Sequence, residues 1–177
     1  VRKTMSDNRL QHIIDAVKRI DGQTPSLQLA KHTKMASSPF VFYRGSAQLF
    51  YADILSGVIN FPKECDSIPL TSVMGDCHTS NFGFLTEEGS HGDTVIFSPN
   101  DFDDACVGQA QWDVLRYLTS LHLARAHCAG VIKGKYQDDA INRQFAATEC
   151  QSLFYTWVQF QLMSLDSAFC QVFFWEL

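Results

Sequence analysis

Apolar positions along the first third of the chain repeat at the spacing of amphipathic helices. In the first such segment they are Leu10, Ile13, Ile14, Val17 and Ile20. Ser6 or Asp7 can cap a helix here and Gly22 can end it, because short polar side chains satisfy the first backbone N–H groups and glycine adopts the left-handed conformation of a helix end. Two further helices are predicted over residues 26–35 and 46–57.

Short apolar and β-branched runs replace the helical spacing in the middle of the chain. Residues 70–74 predict a buried strand that delivers Gly75-Asp76 at its end. Residues 82–86 and 94–98 predict the two strands of a β-hairpin, because a segment rich in turn-forming residues joins them. This short hairpin separates the two polar clusters that are described below.

Helical spacing returns over residues 112–129, where the repeating positions are Leu115, Leu118, Leu121 and His122. Gly130 is interpreted as the end of this central core helix. Asp138 or Asp139 can cap a further long helix. Since no linker or repeat divides the chain, the pattern predicts one α+β, mainly helical domain over residues 1–177.

Composition narrows the classes of partner. The chain has 177 residues, 46% of them hydrophobic, which is enough for one substantial core. A formal net charge of −5 gives no basic surface for nucleic acid, and no run of about 18 apolar residues indicates a membrane span. The six cysteines lack C-x-x-C spacing, which favours reduced thiols in the cytoplasm. The expected partners are small molecules or proteins.

The two ends of the chain are unusual. It begins with Val1 rather than Met and finishes on Phe173-Phe174-Trp175-Glu176-Leu177. An apolar terminus requires a partner surface, because exposed apolar patches are typical of interaction sites. We therefore expect a fragment of a longer protein that lacks a downstream lobe, or a homo-oligomer that associates through the aromatic C-terminus.

Two polar clusters have the composition and order of phosphoryl-transfer machinery. Asp76 and Asn81 are five residues apart, and Asp101 and Asp103 follow the hairpin. In such machinery an Asp orients the proton of the nucleophile, an Asn five residues later binds Mg²⁺, and a later Asp holds the metal at the nucleotide phosphates. This order predicts Asp76 as the catalytic residue, Asn81 and Asp101 as metal ligands and Asp103 as a second acidic ligand. Alternatively, Asp76 and Asn81 are ordinary turn residues, and Asp101 and Asp103 belong to a solvated acidic loop.

The residues of both clusters resemble a known superfamily. Gly75-Asp76-Cys77-His78-Thr79-Ser80-Asn81 resembles the catalytic loop Gly-Asp-x-His-x-x-Asn of the aminoglycoside-phosphotransferase and protein-kinase-like superfamily, and Asp101-Phe102-Asp103-Asp104-Ala105 resembles its metal loop. The resemblance implies the fold of a kinase-like C-lobe, the catalytic lobe, with ATP as the phosphoryl donor and Mg²⁺ as a cofactor. It also implies that Asp113 braces the catalytic loop from below.

A closer resemblance is to an uncharacterised bacterial family, the domain of unknown function 2252 (DUF2252). Its hallmarks look like Ser38-Pro39-Phe40-Val41-Phe42-Tyr43-Arg44-Gly45, then the Gly75 to Gly83 segment, then Asn100-Asp101-Phe102-Asp103. Three motifs in the same order make the resemblance specific over roughly residues 30–125. It implies a longer protein in which Gly-rich and Lys-bearing segments follow the metal loop.

Three side chains near the clusters have two interpretations each. His78 can hydrogen-bond within the catalytic loop or contact the substrate. Arg44 can bind a phosphate through its planar guanidinium or form a structural salt bridge with a loop aspartate. Cys77 is interpreted as a buried apolar filler rather than a nucleophile, because no base pattern accompanies it. The sequence contains no G-x-G-x-x-G turn and no phosphate-gripping Lys ahead of Asp76.

Three functions are consistent with these residues. The first is a Mg²⁺-dependent, kinase-like phosphotransferase that moves a phosphoryl group from ATP to an unknown small-molecule or protein acceptor, and that is weak or inactive without its nucleotide-gripping half. The second is a non-catalytic kinase-like binding or regulatory module, which the missing Gly-rich loop favours. The third is a metal-dependent phosphoesterase, because Asp76-Cys77-His78 also has the form D-x-H.

Overall fold

The computed structural model describes residues 2–87, 89 and 91–141. The chain falls into two compact units that divide between Asn60 and Phe61. The interpretation of residues 1–177 as a single kinase-like domain stays a prediction. The long helix expected after Asp138 and the aromatic C-terminus lie outside the described residues.

The first unit is helical, as the hydrophobic spacing predicts. Its helices are α1 (Arg2–Asp21), α2 (Ala30–Met35), α3 (Pro39–Arg44) and α4 (Ala47–Leu55). α1 begins ahead of the predicted caps Ser6 and Asp7, and Gly22 follows its end in the left-handed conformation (φ 69°). α2 is shorter than predicted because the carbonyl of Ser26 accepts from the N–H of Leu29 (3.2 Å) in a turn.

The hydrophobic pattern does not predict α3. Ser38 caps this helix, since its hydroxyl accepts from the N–H of Val41 at 3.2 Å. Pro39 occupies the first helical position, where its fixed φ suits the helix and its missing N–H costs nothing. The Ser-Pro step therefore starts a helix that is too short to show apolar periodicity.

A buried carboxylate joins α1 to α4. Asp53 is 6% exposed, and Arg9 donates to both of its oxygens at 2.5 and 2.7 Å. His12 contacts the same carboxylate at 3.0 Å. An ionised carboxylate at this depth requires such partners, because burial without them costs several kcal/mol. The first unit is therefore held by an ionic contact as well as by apolar packing.

The second unit combines short strands with one long helix, which confirms the α+β class. Its elements are a 3₁₀ turn (Lys63–Ser67), β1 (Leu70–Val73), a second 3₁₀ turn (Thr79–Asn81), β2 (Phe82–Thr86), β3 (Val95–Pro99), β4 (Cys106–Gln109) and α5 (Ala110–Ile132). β1 pairs antiparallel with β4, and β2 with β3. The β2–β3 hairpin was predicted, whereas β4 was not. The prediction that β1 is buried is wrong, since Leu70 is 66% exposed and only Val73 of this strand is buried.

α5 differs from its prediction in two respects. It continues past Gly130 to Ile132, and the left-handed residue at its end is Gly134 (φ 73°). Gly130 instead makes room for a ring, because a Cβ at this position would lie 2.3 Å from Tyr136. Gln111 and Arg116 are 0% exposed, as is Val131, so these polar side chains are buried more deeply than the leucine stripe. Within the described ranges, no helix has the length and apolar character needed to cross a bilayer.

Candidate functional site

Strand pairing brings the two predicted clusters together. The first cluster lies in the loop of residues 74–81, between β1 and β2, and the second in the loop of residues 100–105, between β3 and β4. Val73 pairs with Cys106, and Phe82 pairs with Pro99. The start of the 74–81 loop therefore lies beside the end of the 100–105 loop. The end of the 74–81 loop lies beside the start of the 100–105 loop. The two ladders hold the loops side by side, although 18 residues separate them in the sequence.

The two loops also touch directly. Gly75 has φ 80°, and a Cβ built on it would lie 2.0 Å from the carbonyl oxygen of Asp104. The N–H of Asn100 donates to the carbonyl of Asn81 at 3.1 Å. A residue with a side chain could neither adopt this backbone conformation without strain nor allow this approach. Gly75 is therefore the residue that permits the contact.

One face of α5 holds the backbone of the 74–81 loop. The Asp113 carboxylate accepts from the N–H groups of Met74 (2.6 Å) and Gly75. Burial raises the pKa of Asp113 by more than these hydrogen bonds lower it. Seven positions later on the helix, the Ser120 hydroxyl accepts from the N–H of Thr79 at 3.0 Å. Asp113 thus holds the start of this loop in place, and the role that the resemblance to kinase-like proteins implies for it stays a prediction.

The same face of α5 holds the carboxylate of Asp76. Arg116, three positions after Asp113, donates to Oδ1 of Asp76 through Nε (3.0 Å) and through NH2. Burial acts to raise the pKa of Asp76, but the hydrogen bond from His78 and the charge of Arg116 outweigh it, so the pKa is lowered. The Asp76 side chain is 21% exposed. Asp76 is therefore an anion in a fixed orientation with limited access to solvent.

His78 acts within the loop. It is 3% exposed, its Nδ1 accepts from the N–H of Ser80 at 3.2 Å, and its carbonyl accepts from the N–H of Asn81 at 2.9 Å. Because Nδ1 accepts, the ring proton lies on Nε2, which is 3.4 Å from Oδ2 of Asp76. Both ring nitrogens face the protein, so the arrangement favours the bracing interpretation over substrate contact.

The predicted metal ligands present oxygen atoms, which suits Mg²⁺. Asn81 is 9% exposed and its Nδ2 donates to the carbonyl of Asp76 (3.0 Å), so its Oδ1 is the atom suited to a cation. Asp101 and Asp103 are exposed, and Oδ1 of Asp101 accepts weakly from the N–H of Asp103 (3.4 Å). In the part of the chain that is described, no three His, Cys, Asp or Glu residues form a metal cluster. Mg²⁺ fits this sparse donor set, because it commonly binds one or two carboxylates together with substrate phosphates.

Two predicted residues have other surroundings. Cys77 is buried, and burial with the nearby charge of Asp113 raises the pKa of its thiol to about 12, in agreement with a filler role. Arg44 belongs to the first unit, where its guanidinium lies 5.7 Å from the centre of the Phe40 ring. Its predicted contact with a phosphate or a loop aspartate stays a prediction.

Sequence reasoning did not identify Arg116 and Ser120. A signal for them exists, because Asp113, Arg116 and Ser120 repeat at helical spacing among the apolar residues of α5. A polar stripe on a core helix indicates that the helix faces a buried polar loop rather than only the apolar interior.

Comparisons with known proteins agree with the order of the motifs. A family model described as an uncharacterized protein conserved in bacteria, DUF2252, matches residues 23–147. This range is wider than the 30–125 that the motifs indicate. No curated protein matches the chain, and no solved structure matches it.

Proposed function

With the chain established as a member of the bacterial family DUF2252, we propose that it carries the catalytic and metal-binding loops of a Mg²⁺-dependent phosphotransferase. Its fold is that of a kinase-like catalytic lobe, its phosphoryl donor is ATP, and its acceptor is a small molecule or protein in the cytoplasm. The observation that supports this proposal is the pairing of Val73 with Cys106 and of Phe82 with Pro99, which brings the two loops side by side.

Each loop residue has a role in this proposal. Asp76 accepts a hydrogen bond from the acceptor hydroxyl and orients its oxygen toward the γ-phosphorus. Asn81 and Asp101 hold Mg²⁺, with Asp103 as a further ligand. When bound, Mg²⁺ neutralises charge on the nucleotide phosphates. His78 and Asp113 keep the loop in shape. Positioning and charge neutralisation provide most of the rate in such reactions.

The proposed reaction is a displacement at the γ-phosphorus of ATP. The acceptor oxygen forms a bond to the γ-phosphorus, and the bond from that phosphorus to the bridging oxygen breaks. ADP leaves with the electron pair, and the acceptor proton passes to water. A lowered pKa at Asp76 suits this course, because a loose transition state requires little proton abstraction before the phosphoryl group moves.

This sequence lacks the segment that binds the nucleotide phosphates in kinases. No G-x-G-x-x-G turn or gripping Lys precedes Asp76. The proposed activity therefore requires phosphate-binding groups from a further lobe or from a second copy of the chain. We expect weak or no turnover by these 177 residues alone.

A non-catalytic kinase-like module is the second candidate function, and one observation favours it. Arg116 already forms an ion pair with Asp76. The negative charge of Asp76 is therefore balanced without a substrate. A phosphoesterase of the D-x-H type is less well supported. Both ring nitrogens of His78 face protein atoms rather than a metal position.

Calorimetry of ATP binding with and without Mg²⁺ tests the proposal. It is measured on this chain and on the longest natural form of the protein, each as wild type, Asp101→Asn and Asp93→Asn. Asp93 is an exposed acid near the hairpin turn, so its variant is a matched control for loss of one negative charge. We expect Mg²⁺-dependent binding that Asp101→Asn weakens at least tenfold and Asp93→Asn leaves unchanged. Absence of binding by every form would refute the enzyme and leave the binding module.

A further inference from the structure

We propose that Arg116 is the positioning residue of this site: it holds the carboxylate of Asp76 so that Oδ2 accepts from a hydroxyl group of the phosphoryl acceptor. The inference rests on the proposed function and adds to it a positioning residue and the oxygen of Asp76 that faces the acceptor. Arg116 itself does not touch the reacting atoms.

The depth of Arg116 argues against a role in stability alone. Its side chain is 0% exposed and is the largest fully buried side chain of the described residues. Burying a guanidinium costs several kcal/mol, and a well-packed apolar residue of similar volume commonly gives equal or better stability. A charge at this depth therefore indicates a use for the charge.

The contacts of α5 divide between backbone and side chain. Asp113 and Ser120 accept hydrogen bonds from backbone N–H groups of the 74–81 loop. These contacts fix the path of the loop. Arg116 contacts the side chain of Asp76, so it controls the direction of the carboxylate. The loop would keep its path without Arg116, but the carboxylate would be free to rotate about its side-chain bonds.

The two oxygens of Asp76 are held unequally. Both hydrogen bonds that Arg116 donates to the Asp76 carboxylate go to Oδ1. The hydrogen bond that Oδ2 accepts from His78 is long (3.4 Å), and a carboxylate oxygen has a second lone pair. Oδ2 can therefore accept a further, shorter bond from a substrate. Because an ionised carboxylate accepts only, the group it orients must donate a hydrogen, as a hydroxyl does.

Turnover and binding measured together on matched variants test this role. The variants are Arg116→Met, Arg116→Lys, Asp76→Asn, the double variant Asp76→Asn with Arg116→Met, and Lys133→Met. Lys133 is an exposed cation at the end of α5 and controls for loss of charge on the same helix. ATP hydrolysis, in which water is the acceptor, gives the turnover, and calorimetry gives the affinity for Mg²⁺ and ATP. Both are measured on the longest natural form.

Positioning through Asp76 predicts a specific pattern. Arg116→Met lowers turnover by about 10- to 100-fold, because small misplacements of a catalytic group cost this much. The affinity of this variant for Mg²⁺ and ATP stays within about twofold of wild type, since Arg116 contacts neither of the proposed Mg²⁺ ligands Asn81 and Asp101. Arg116→Lys retains part of the turnover, because Lys keeps the charge but loses the planar fork. Adding Arg116→Met to Asp76→Asn has no further effect on turnover, since the two residues act as one unit.

The opposite results are distinct. If Arg116→Met lowers turnover equally in the wild-type and Asp76→Asn backgrounds, Arg116 is only structural and the positioning role is overturned. If wild type and Asp76→Asn turn over ATP at the same rate, the role is overturned as well. If wild type does not bind Mg²⁺ and ATP, the proposed function itself fails and the positioning role fails with it. Arg116→Lys keeps the buried charge, so it decides the question if Arg116→Met does not fold.

Discussion

At Gly75 the two loops come into backbone contact, and replacement by alanine tests that contact directly. The added Cβ would lie 2.0 Å from the carbonyl oxygen of Asp104 and 2.7 Å from its carbonyl carbon. Both atoms belong to the backbone, so no side-chain rotation can relieve the clash. Gly75 also has φ 80°, where alanine is strained even in open space.

The expected cost of Gly75→Ala has two parts. The left-handed backbone costs roughly 1–2 kcal/mol for a residue with a Cβ. Forcing an extra carbon into packed structure, with backbone shifts, costs typically about 1–3 kcal/mol. Together they predict that the free energy of unfolding falls by about 2–5 kcal/mol. The contact between the 74–81 and 100–105 loops would open at the same time.

Gly134→Ala separates the two parts. Gly134 has φ 73°, and a Cβ there would have no atom within 4 Å. Both variants change the entropy of the unfolded chain alike, so the difference between them measures the clash. Urea unfolding followed by circular dichroism gives both free energies. We expect Gly75→Ala to be less stable than Gly134→Ala by about 1–3 kcal/mol. Equal losses in the two variants would refute the close approach of the loops.

Two further predictions concern titratable groups. A thiol pKa of about 12 at Cys77 leaves little thiolate at pH 8, so iodoacetamide should label Cys77 about a thousandfold more slowly than an ordinary thiol. Peptide mass spectrometry compares the labelling rate of Cys77 with that of exposed Cys106. Similar rates in the folded protein would contradict the burial of Cys77. The pKa of Asp21 is lowered from 3.8 by hydrogen bonds from Lys31 and then His32, against the effect of burial. The stability that it contributes is present above its unfolded pKa and is lost as the pH falls through its folded pKa. The difference in unfolding free energy between wild type and Asp21→Asn should therefore shrink between about pH 5 and pH 2, and a difference that does not change with pH would argue against the ion pair.

Local pattern was enough to predict most elements of the fold. The spacing in α1 and α4 comes from residues close in sequence, and so do the apolar runs and turn-rich link of the β2–β3 hairpin, so the sequence carries their signal directly. α3 and β4 were not predicted. α3 spans Pro39–Arg44 and β4 spans Cys106–Gln109, and both are too short for a periodic signal. Capping by Ser38 decides α3, and pairing with β1 decides β4.

In the candidate site, too, some features follow from local sequence and others only from the pairing of distant segments. The order of Asp76, Asn81 and Asp101 predicts a phosphoryl-transfer arrangement from sequence, because each motif is local. That these residues lie in adjacent loops depends on which strands pair, and pairing is a long-range choice. The roles of Gly75 and Arg116 depend on it entirely, since one allows an approach to Asp104 and the other reaches a residue 40 positions away.

The sequence by itself determined the family, the α+β class, most of the helices and the order of the candidate site residues. It did so because motifs and periodicity are properties of neighbouring residues. Only the tertiary structure decided which polar side chains of α5 hold the 74–81 loop and which oxygen of Asp76 Arg116 contacts. Those are decided by contacts between distant segments, and their energies depend on burial that arises only when the chain folds.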